Sequence, residues 1–233
     1  MQLGVIGATG RFGTRIVSEA LSRGHRVTAS SRDASHLQDG RKNVTWKSVD
    51  IDDAAAVTAL LSDVDVLVSA FGPGNELKDE AASISQSIAD PAAYPRAARA
   101  LLTALNSYPR KRLIVIGGTA SLEVKPGLVW SDSDELIFEA TDQLGLPREY
   151  IGVIRAHENA LKTFRTSNRL WTYFSPAVEI FPGERTGRFR YGGDQPVIDA
   201  EGRSRISFED AAVAVVDEAE LPRFVQRRFT VGY

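Results

Sequence analysis

The stretch LGVIGATGRFG, residues 3–13, decides how this chain is interpreted. A short apolar run passes directly into three glycines, Gly7, Gly10 and Gly13, and a helical pattern follows at once. In a strand–turn–helix unit of this kind, the glycines permit a tight turn, a close approach to a ligand, and close packing of helix on strand. Free backbone N–H groups at the helix start then favour phosphate. The stretch predicts a phosphate-binding turn that holds a dinucleotide.

The rest of the first half alternates apolar runs with helical patterns. Strands are predicted over residues 3–6, 26–29, 44–47, 64–69 and 113–116, and helices over 12–22, 54–61 and 94–107, with a short one after Asp33. Several runs are too apolar to have a solvated face, which is typical of a parallel sheet covered on both sides. We therefore expect an α/β fold, a Rossmann-type doubly wound parallel sheet.

The second half of the sequence alternates less regularly between strand and helix patterns. A helix over 147–165, a strand over 170–174, a last helix with Ser207 as its N-cap and a strand over 229–231 are predicted. Residues 176–206 are rich in proline and glycine and read as a loop-rich elaboration. The prediction is one domain over residues 1–233, in which 1–120 bind the cofactor and 121–233 form the substrate side.

Composition narrows the classes of partner. The 28 basic and 30 acidic residues give a net charge of −2, which argues against a nucleic-acid partner. The chain has no cysteine, so no disulfide or thiolate site can form, and no metal site is predicted. Neither a signal-peptide pattern nor an apolar stretch of about 20 residues is present, so we expect a cytoplasmic protein that does not enter a membrane. The choice between a monomer and a homodimer stays open.

The end of the second predicted strand bears on the choice of cofactor. An acidic residue there would bind the ribose 2′-hydroxyl of NAD, but the chain has Ser31 and Arg32. Hydroxyls and a guanidinium suit a 2′-phosphate, so NADP(H) is preferred over NAD(H). The alternative is a solvated Arg32 at a surface turn. Asp33 is expected to lie just past the contact and to cap the next helix.

Other cofactor contacts follow from the strand ends. Asp50 and Ile51 follow the third strand, where an adenine pocket would lie, although an aspartate there is about as often a helix cap. The fourth strand ends where a ligand crosses the sheet edge. The cofactor-binding set is Gly7, Thr9, Gly10, Arg11, Phe12, Gly13, Ser31, Arg32, Asp50, Ile51, Ala70, Phe71 and Gly72.

These residues resemble the atypical branch of the short-chain dehydrogenase/reductase superfamily. The chain is most similar there to bacterial NAD(P)H-binding proteins named NADH-flavin reductases and to biliverdin-IXβ/flavin reductase. The glycine turn, Ser31 to Asp33 and Asp50 carry the likeness, with the later motifs AHENAL at 156–161 and ISFED at 206–210. The resemblance implies a Rossmann fold, a nicotinamide cofactor and hydride transfer to flavin, quinone or tetrapyrrole-like acceptors.

The superfamily's usual proton donor is absent. None of the six tyrosines is followed four residues later by lysine, so the Tyr-x-x-x-Lys dyad is missing. Reduction of a ketone needs a proton as well as a hydride. Flavins and quinones are less demanding, because charge delocalises in them and solvent can supply the proton. The missing dyad thus favours either such an acceptor or a cofactor sensor without catalysis.

His157 is the best candidate for a catalytic side chain. Helical spacing places it on one face with Ile154 and Leu161, toward the sheet edge, and the resemblance implies that a histidine of this helix lines the active site. The alternative is a satisfied core histidine. Thr119 or Ser121, after the fifth strand, could bind the nicotinamide carboxamide or an acceptor carbonyl, or be ordinary turn residues.

Aromatic residues could form a wall for a planar acceptor. Pro176 and Phe181 are the predicted substrate contacts, and Phe71, Trp130 and Phe174 are further candidates. The first hypothesis is therefore an NADPH-dependent reductase of a flavin, quinone or similar planar acceptor. The alternatives are an NADP(H)-sensing regulator that acts through a partner protein, and an isomerase or epimerase that uses the bound cofactor.

Overall fold

The computed structural model describes residues 1–35, 40–74 and 79–233. The short helix expected after Asp33 falls partly outside these residues. In the described ranges the strands are β1 (Gln2–Ile6), β2 (Arg26–Ser31), β3 (Val44–Ser48), β4 (Val66–Ser69), β5 (Arg112–Ile116), β6 (Glu123–Lys125), β7 (Leu128–Val129), β8 (Leu170–Phe174), β9 (Glu179–Phe181), β10 (Arg190–Gly192), β11 (Arg205–Ser207) and β12 (Arg227–Gly232). The α-helices are α1 (Arg11–Ser22), α2 (Ala54–Ser62), α3 (Glu80–Ala89), α4 (Ala93–Ser107), α5 (Asp134–Gln143), α6 (Ile151–Arg165) and α7 (Phe208–Glu220).

The described strands build one eight-stranded sheet in the order β10-β12-β8-β5-β4-β1-β2-β3. Every neighbouring pair is parallel except β10 and β12, which are antiparallel. The chain order reverses between β1 and β4, which lie side by side, with Ile6 opposite Ser69. In a doubly wound sheet such a switch point opens a crevice at the carboxyl ends of the strands. The Rossmann-type fold is confirmed, with one antiparallel edge strand added.

Two apolar layers cover the sheet. On one face Ile16 of α1 and Val215 of α7 are fully buried in a cluster with Val5 and Phe229. On the other face α2, α4 and α6 pack together over strand residues such as Leu67. All four residues of β4 are buried, which explains why its sequence shows no alternation. In the described residues no helix is long and apolar enough to cross a membrane.

Most predicted elements are present within one to three residues of their predicted ends. Ser207 caps α7 as expected, since its Oγ accepts a hydrogen bond of 3.0 Å from the Asp210 N–H. The predicted helix over 147–165 begins as a 3₁₀ turn, Arg148–Tyr150, and continues as α6. The last strand is longer than predicted, Arg227–Gly232.

Two helices and several short strands were not predicted. The inward face of α3 carries Ser83 and Ser87, whose hydroxyls donate to the carbonyls of Gly74 and Pro73, so it lacks an apolar stripe. The stretch 176–206 is not loop alone. It contributes β9, which pairs with β11, and the edge strand β10. Strands of three residues are too short for a period to be detected.

Candidate functional site

The glycine turn is built on close backbone contacts. Gly7 has φ of 73°, and a Cβ there would lie 2.5 Å from the Ala70 carbonyl oxygen. A Cβ on Gly13 would lie 2.0 Å from the Gly7 carbonyl oxygen. Neither contact leaves space for a side chain, because both opposing atoms belong to the backbone. The turn is fixed further by a hydrogen bond of 3.0 Å from the Gly10 N–H to the Gly7 carbonyl.

The start of α1 is arranged to receive an anion. Gly10 is its extended N-cap, and no side chain caps the helix there. The first N–H groups of an α-helix have no partner within the helix, and the helix dipole makes this end positive. No acidic residue lies in the first turn of α1. Backbone N–H groups of this turn could therefore hold a pyrophosphate.

A cleft of about 460 Å³ extends from this turn along the carboxyl ends of β1 to β4. A nucleotide-sized ligand requires a cavity of several hundred Å³. The expected residues that line it are Gly7, Thr9, Gly10, Ser31, Arg32, Asp50, Ile51, Phe71 and Gly72. Residues outside the predicted cofactor-binding set line it as well: Ile6, Asp33, Val49, Asp52, Pro73, Gln86, Asp90, Ala93 and Arg96.

Four expected cofactor residues lie beside the cleft rather than on its wall. The Arg11 guanidinium pairs with the Glu80 carboxylate of α3 at 3.2 Å. The Phe12 ring packs in the core, with its centroid 5.9 Å from that of Phe174. Gly13 contacts the turn, and Ala70 is 2% exposed. Phe12 and Gly13 can therefore contact a phosphate only through their backbone N–H groups.

The end of β2 brings hydroxyl, guanidinium and carboxylate groups together. Ser31 Oγ donates a hydrogen bond of 2.6 Å to the Asp33 carbonyl. The Asp33 carboxylate accepts from the N–H and the hydroxyl of Ser35, at 2.9 and 2.6 Å. Asp33 is thus held in a local turn, as a capping residue would be. Ser31, Arg32 and Asp33 all line the cleft.

A second, much smaller chamber of about 20 Å³ lies beside Phe71, between α4, α6 and the ends of β4 and β5. His157 of α6 and Tyr94 of α4 form its wall, and their ring centroids are 3.9 Å apart. Phe71 lies edge-on to Tyr94 at 6.2 Å. Gly118 passes so close that a Cβ there would meet the His157 ring at 2.8 Å. This aromatic end of the site has room for about one water molecule.

Burial sets the charge of the aromatic end. Desolvation lowers the pKa of His157 to about 4, so its ring is neutral at pH 7. Desolvation also raises the pKa of Tyr94 well above its ordinary value, and does the same for Tyr173. The Tyr173 hydroxyl donates to the His157 backbone carbonyl at 3.2 Å. Both phenols and the imidazole are therefore uncharged near neutral pH.

The other predicted catalytic and substrate residues make structural contacts. Thr119 Oγ1 donates to the carbonyls of Pro176 and Ala177, both at 3.1 Å. Ser121 is 1% exposed, and its Oγ donates to the Gly118 carbonyl at 2.8 Å. Pro176 is buried behind Thr119, while Phe181 packs against Tyr233 with ring centroids 6.5 Å apart. None of the four lines either of the two cavities described here.

The sequence did not indicate Tyr94, Asp90 or Arg96. Tyr94 and Arg96 lie on the helix predicted over 94–107. The sequence of one helix does not show which of its residues meet a ligand. Asp90 ends α3, a helix without an apolar stripe. Among the described residues, no group of three or more histidine, aspartate or glutamate side chains is placed to hold a metal ion.

Comparison with known proteins agrees with this geometry. The model of a family described as NAD(P)H-binding matches residues 7–220, from the first glycine of the turn to the end of α7. The chain belongs to this NAD(P)H-binding family. A Bacillus subtilis (strain 168) relative, "Uncharacterized protein YwnB", is 34% identical over 99% of this chain and 98% of its own length.

Solved structures of other proteins are also similar to this chain. A "putative exported protein" from Burkholderia pseudomallei is 38% identical, with a TM-score of 0.79 over 100% of both chains. A "putative NADH-flavin reductase" from Streptococcus pneumoniae TIGR4 is 26% identical, with a TM-score of 0.77 over 100% of this chain and 99% of the other. The resemblance drawn from the sequence is thereby confirmed at the level of the family.

Proposed function

We propose that this NAD(P)H-binding protein is an NADPH-dependent reductase that transfers hydride to a flavin, quinone or similar planar acceptor. The observation that carries the proposal is the position of His157. It forms, with Tyr94 and Phe71, an uncharged aromatic wall beside the carboxyl ends of β4 and β5, at the end of the nucleotide-sized cleft. A nicotinamide or a flat acceptor can stack on such a wall once its aromatic side chains move apart.

The glycine turn and the cleft fit the cofactor. Gly7 and Gly13 permit the close backbone packing of the turn, and the uncapped start of α1 supplies N–H donors for a pyrophosphate. When bound, the nicotinamide would supply the hydride, and the protein would orient it and exclude competing reactions. The residues that bind the cofactor are those of the turn and of the cleft wall described above.

The electrostatics of the aromatic end favour an acceptor that needs no acid from the protein. The lowered pKa of His157, about 4, leaves its ring without a proton to give at pH 7. Desolvation raises the pKa of Tyr94, which makes that phenol a weak acid. A flavin or quinone accepts the hydride into a delocalised system, and the accompanying proton can come from water. We assign His157 the role of positioning the acceptor through ring contact.

The preference for NADPH is carried by Arg32. Arg32 and Ser31 line the cleft at the end of β2, where the 2′-substituent of the ribose would be bound. The Asp33 carboxylate also lies there, but it is turned to the Ser35 N–H and hydroxyl. We further propose that the protein works in the cytoplasm as a soluble enzyme, although the Burkholderia relative is called an exported protein.

A second candidate is an NADP(H) sensor that signals through a partner. It is favoured by one observation, the 20 Å³ volume of the chamber at His157, which is far too small for a nicotinamide and an acceptor unless the aromatic side chains move. In a sensor the cofactor would bind, and the narrow end would never admit an acceptor. An isomerase or epimerase would need an acid–base pair, and Tyr94 and His157 supply it poorly because desolvation makes the phenol a weak acid and the imidazole a weak base.

The test is steady-state oxidation of NADPH, and of NADH in parallel, with FMN, riboflavin, simple quinones and biliverdin as acceptors. The proposal predicts saturable turnover with at least one planar acceptor, a lower KM for NADPH than for NADH, and loss of turnover in His157→Ala. Tight NADPH binding without turnover on any acceptor would contradict the reductase and support the sensor. Equal kinetic constants for NADPH and NADH would contradict the preference alone.

A further inference from the structure

The wall of the cleft includes an arginine of α4 to which neither the sequence nor the family match assigns a role. Asp50, Ile51 and Asp52, after β3, line the cleft together with this arginine, Arg96 of α4. Asp90, at the end of α3, completes this wall. Arg96 is therefore part of the cleft wall near the carboxyl end of β3.

The Arg96 guanidinium is held in a fixed plane. Its Nη1 donates to Asp90 Oδ1 at 3.0 Å and its Nη2 to Asp90 Oδ2 at 2.7 Å, a two-point contact. Nη2 also reaches Asp52 Oδ2 at 3.4 Å. Two-point contacts fix the orientation of a guanidinium as well as its position. The side chain is 38% exposed and lines the cleft, so a ligand in the cleft can contact it.

The charge of this end indicates what kind of ligand group it accepts. Three lining carboxylates, Asp50, Asp52 and Asp90, stand against the one guanidinium of Arg96. The hydrogen bonds from Arg96 lower the pKa of Asp90, so that carboxylate stays ionised. The excess of negative charge repels phosphate, which belongs instead at the glycine turn. A neutral aromatic base with an amino group suits this end. The amino group at its edge can donate to carboxylates, and its face can stack on a planar cation.

We propose that Arg96 is a specificity-determining residue of the cleft, against whose guanidinium face the adenine ring of the cofactor stacks while Asp90 and Asp52 hold that face in place. The proposal rests on the cofactor part of the proposed function and is independent of the acceptor. Stacking needs the planar guanidinium, so lysine would not replace it. Removal of one stacking partner of a base commonly weakens binding by about tenfold or more.

The experiment compares dissociation constants of NADPH, adenosine 2′,5′-bisphosphate and reduced nicotinamide mononucleotide, which lacks adenine, by calorimetry and nicotinamide fluorescence. We expect Arg96→Ala and Arg96→Lys to weaken the two adenine ligands about tenfold and to leave the mononucleotide within about twofold. Arg99→Ala, an exposed arginine of the same helix, is the matched control and should bind all three as the wild type does. Thermal unfolding of each variant checks that the fold is retained.

The outcomes separate the inference from the proposed function. If Arg96→Ala leaves the affinity for the adenine ligands unchanged, or weakens all three ligands equally, the stacking role is wrong while the cofactor assignment stands. Full affinity of Arg96→Lys for adenine ligands would also overturn it, because only charge would then be needed. If the wild type binds no NADPH, the proposed function and this inference fail together.

Discussion

The two ends of the cleft are built from different groups. The phosphate and base end uses backbone contacts of Gly7 and Gly13 and a set of charged side chains around a cavity of about 460 Å³. The aromatic end uses Tyr94 and His157 from two helices around a chamber of about 20 Å³. Affinity for the cofactor should therefore depend on the first end, and the chemistry on the second. Changes at one end should leave the function of the other nearly intact.

The largest expected effect is at the glycine turn. In Gly13→Ala the new methyl group would lie 2.0 Å from the Gly7 carbonyl oxygen, so α1 must move away from the turn. We expect the affinity for NADPH, measured by fluorescence titration, to fall by about 100-fold or more, and the free energy of unfolding to fall by about 1 to 3 kcal/mol.

Gly152→Ala is the matched control, since a Cβ at that helical glycine would come no closer than 3.7 Å to Pro91. It should bind NADPH normally and be as stable as the wild type or slightly more so. Wild-type NADPH affinity in Gly13→Ala would show that the turn does not hold the pyrophosphate.

At the other end, His157→Ala should lower kcat for the best acceptor by about 100-fold, because the acceptor loses the ring that orients it. The dissociation constant of NADPH should change by less than about threefold, since the glycine turn and the base end, which hold the rest of the cofactor, are unaltered. Asn159→Ala, an exposed position on the same helix, should leave both unchanged. A parallel loss of kcat and NADPH affinity in His157→Ala would erase the contrast between the two ends.

The pH dependence of stability tests whether the aromatic end is desolvated. The pKa of His157 is about 4 in the folded protein against 6.5 in the unfolded chain, so the unfolded chain binds more protons between these values. The His157 contribution is therefore fully present above pH 6.5 and is lost as pH falls toward 4, by up to about 3 kcal/mol. In His157→Gln, urea unfolding should show a flatter pH dependence across this window.

Glu19 also makes stability depend on pH, but it does so at lower pH than His157. A hydrogen bond from Arg185 is the main cause of the lowered pKa of Glu19, so its contribution to stability persists above pH 4.5 and is lost below that. Between pH 4.5 and 6.5 the difference in slope between the wild type and His157→Gln therefore reports on His157. An unchanged slope in His157→Gln would mean that the ring is solvated in the folded protein.

The smallest expected effect concerns the cofactor's 2′-phosphate. Arg32→Ala should weaken NADPH by about tenfold and leave NADH unchanged, because the guanidinium would contact a group that NADH lacks. NADH thus serves as the control ligand within the same protein. Equal losses for the two cofactors, or equal wild-type affinities, would remove Arg32 as the selecting residue.

The sequence predicted the phosphate end better than the aromatic end, for a physical reason. The functions of Gly7 and Gly13 depend on backbone geometry within a few residues, so spacing alone indicates them. The role of Tyr94 depends on how α4 is rotated against α6, which no local pattern encodes. Asp90 could not be found because α3 buries the hydroxyls of Ser83 and Ser87 in place of an apolar stripe.

His157 lies between these cases. Helical spacing placed it correctly on the inward face with Ile154 and Leu161, which are 7% and 0% exposed. The ring contact between His157 and Tyr94 could not be predicted from the pattern of α6 alone. The predicted substrate contact Phe181 packs instead on Tyr233, because β9 pairs with β11 in a small sheet that the loop-rich composition did not reveal.

The most direct test of the account uses NADPH carrying deuterium at one or the other C4 position, turned over with the best acceptor. If the nicotinamide lies against the wall of Tyr94 and His157, only one face can transfer hydride. Mass spectrometry of the NADP⁺ product should then find deuterium lost from one stereoisomer and fully retained in the other, in both the wild type and Asn159→Ala. Equal loss from both stereoisomers, or no oxidation with any acceptor, would contradict it.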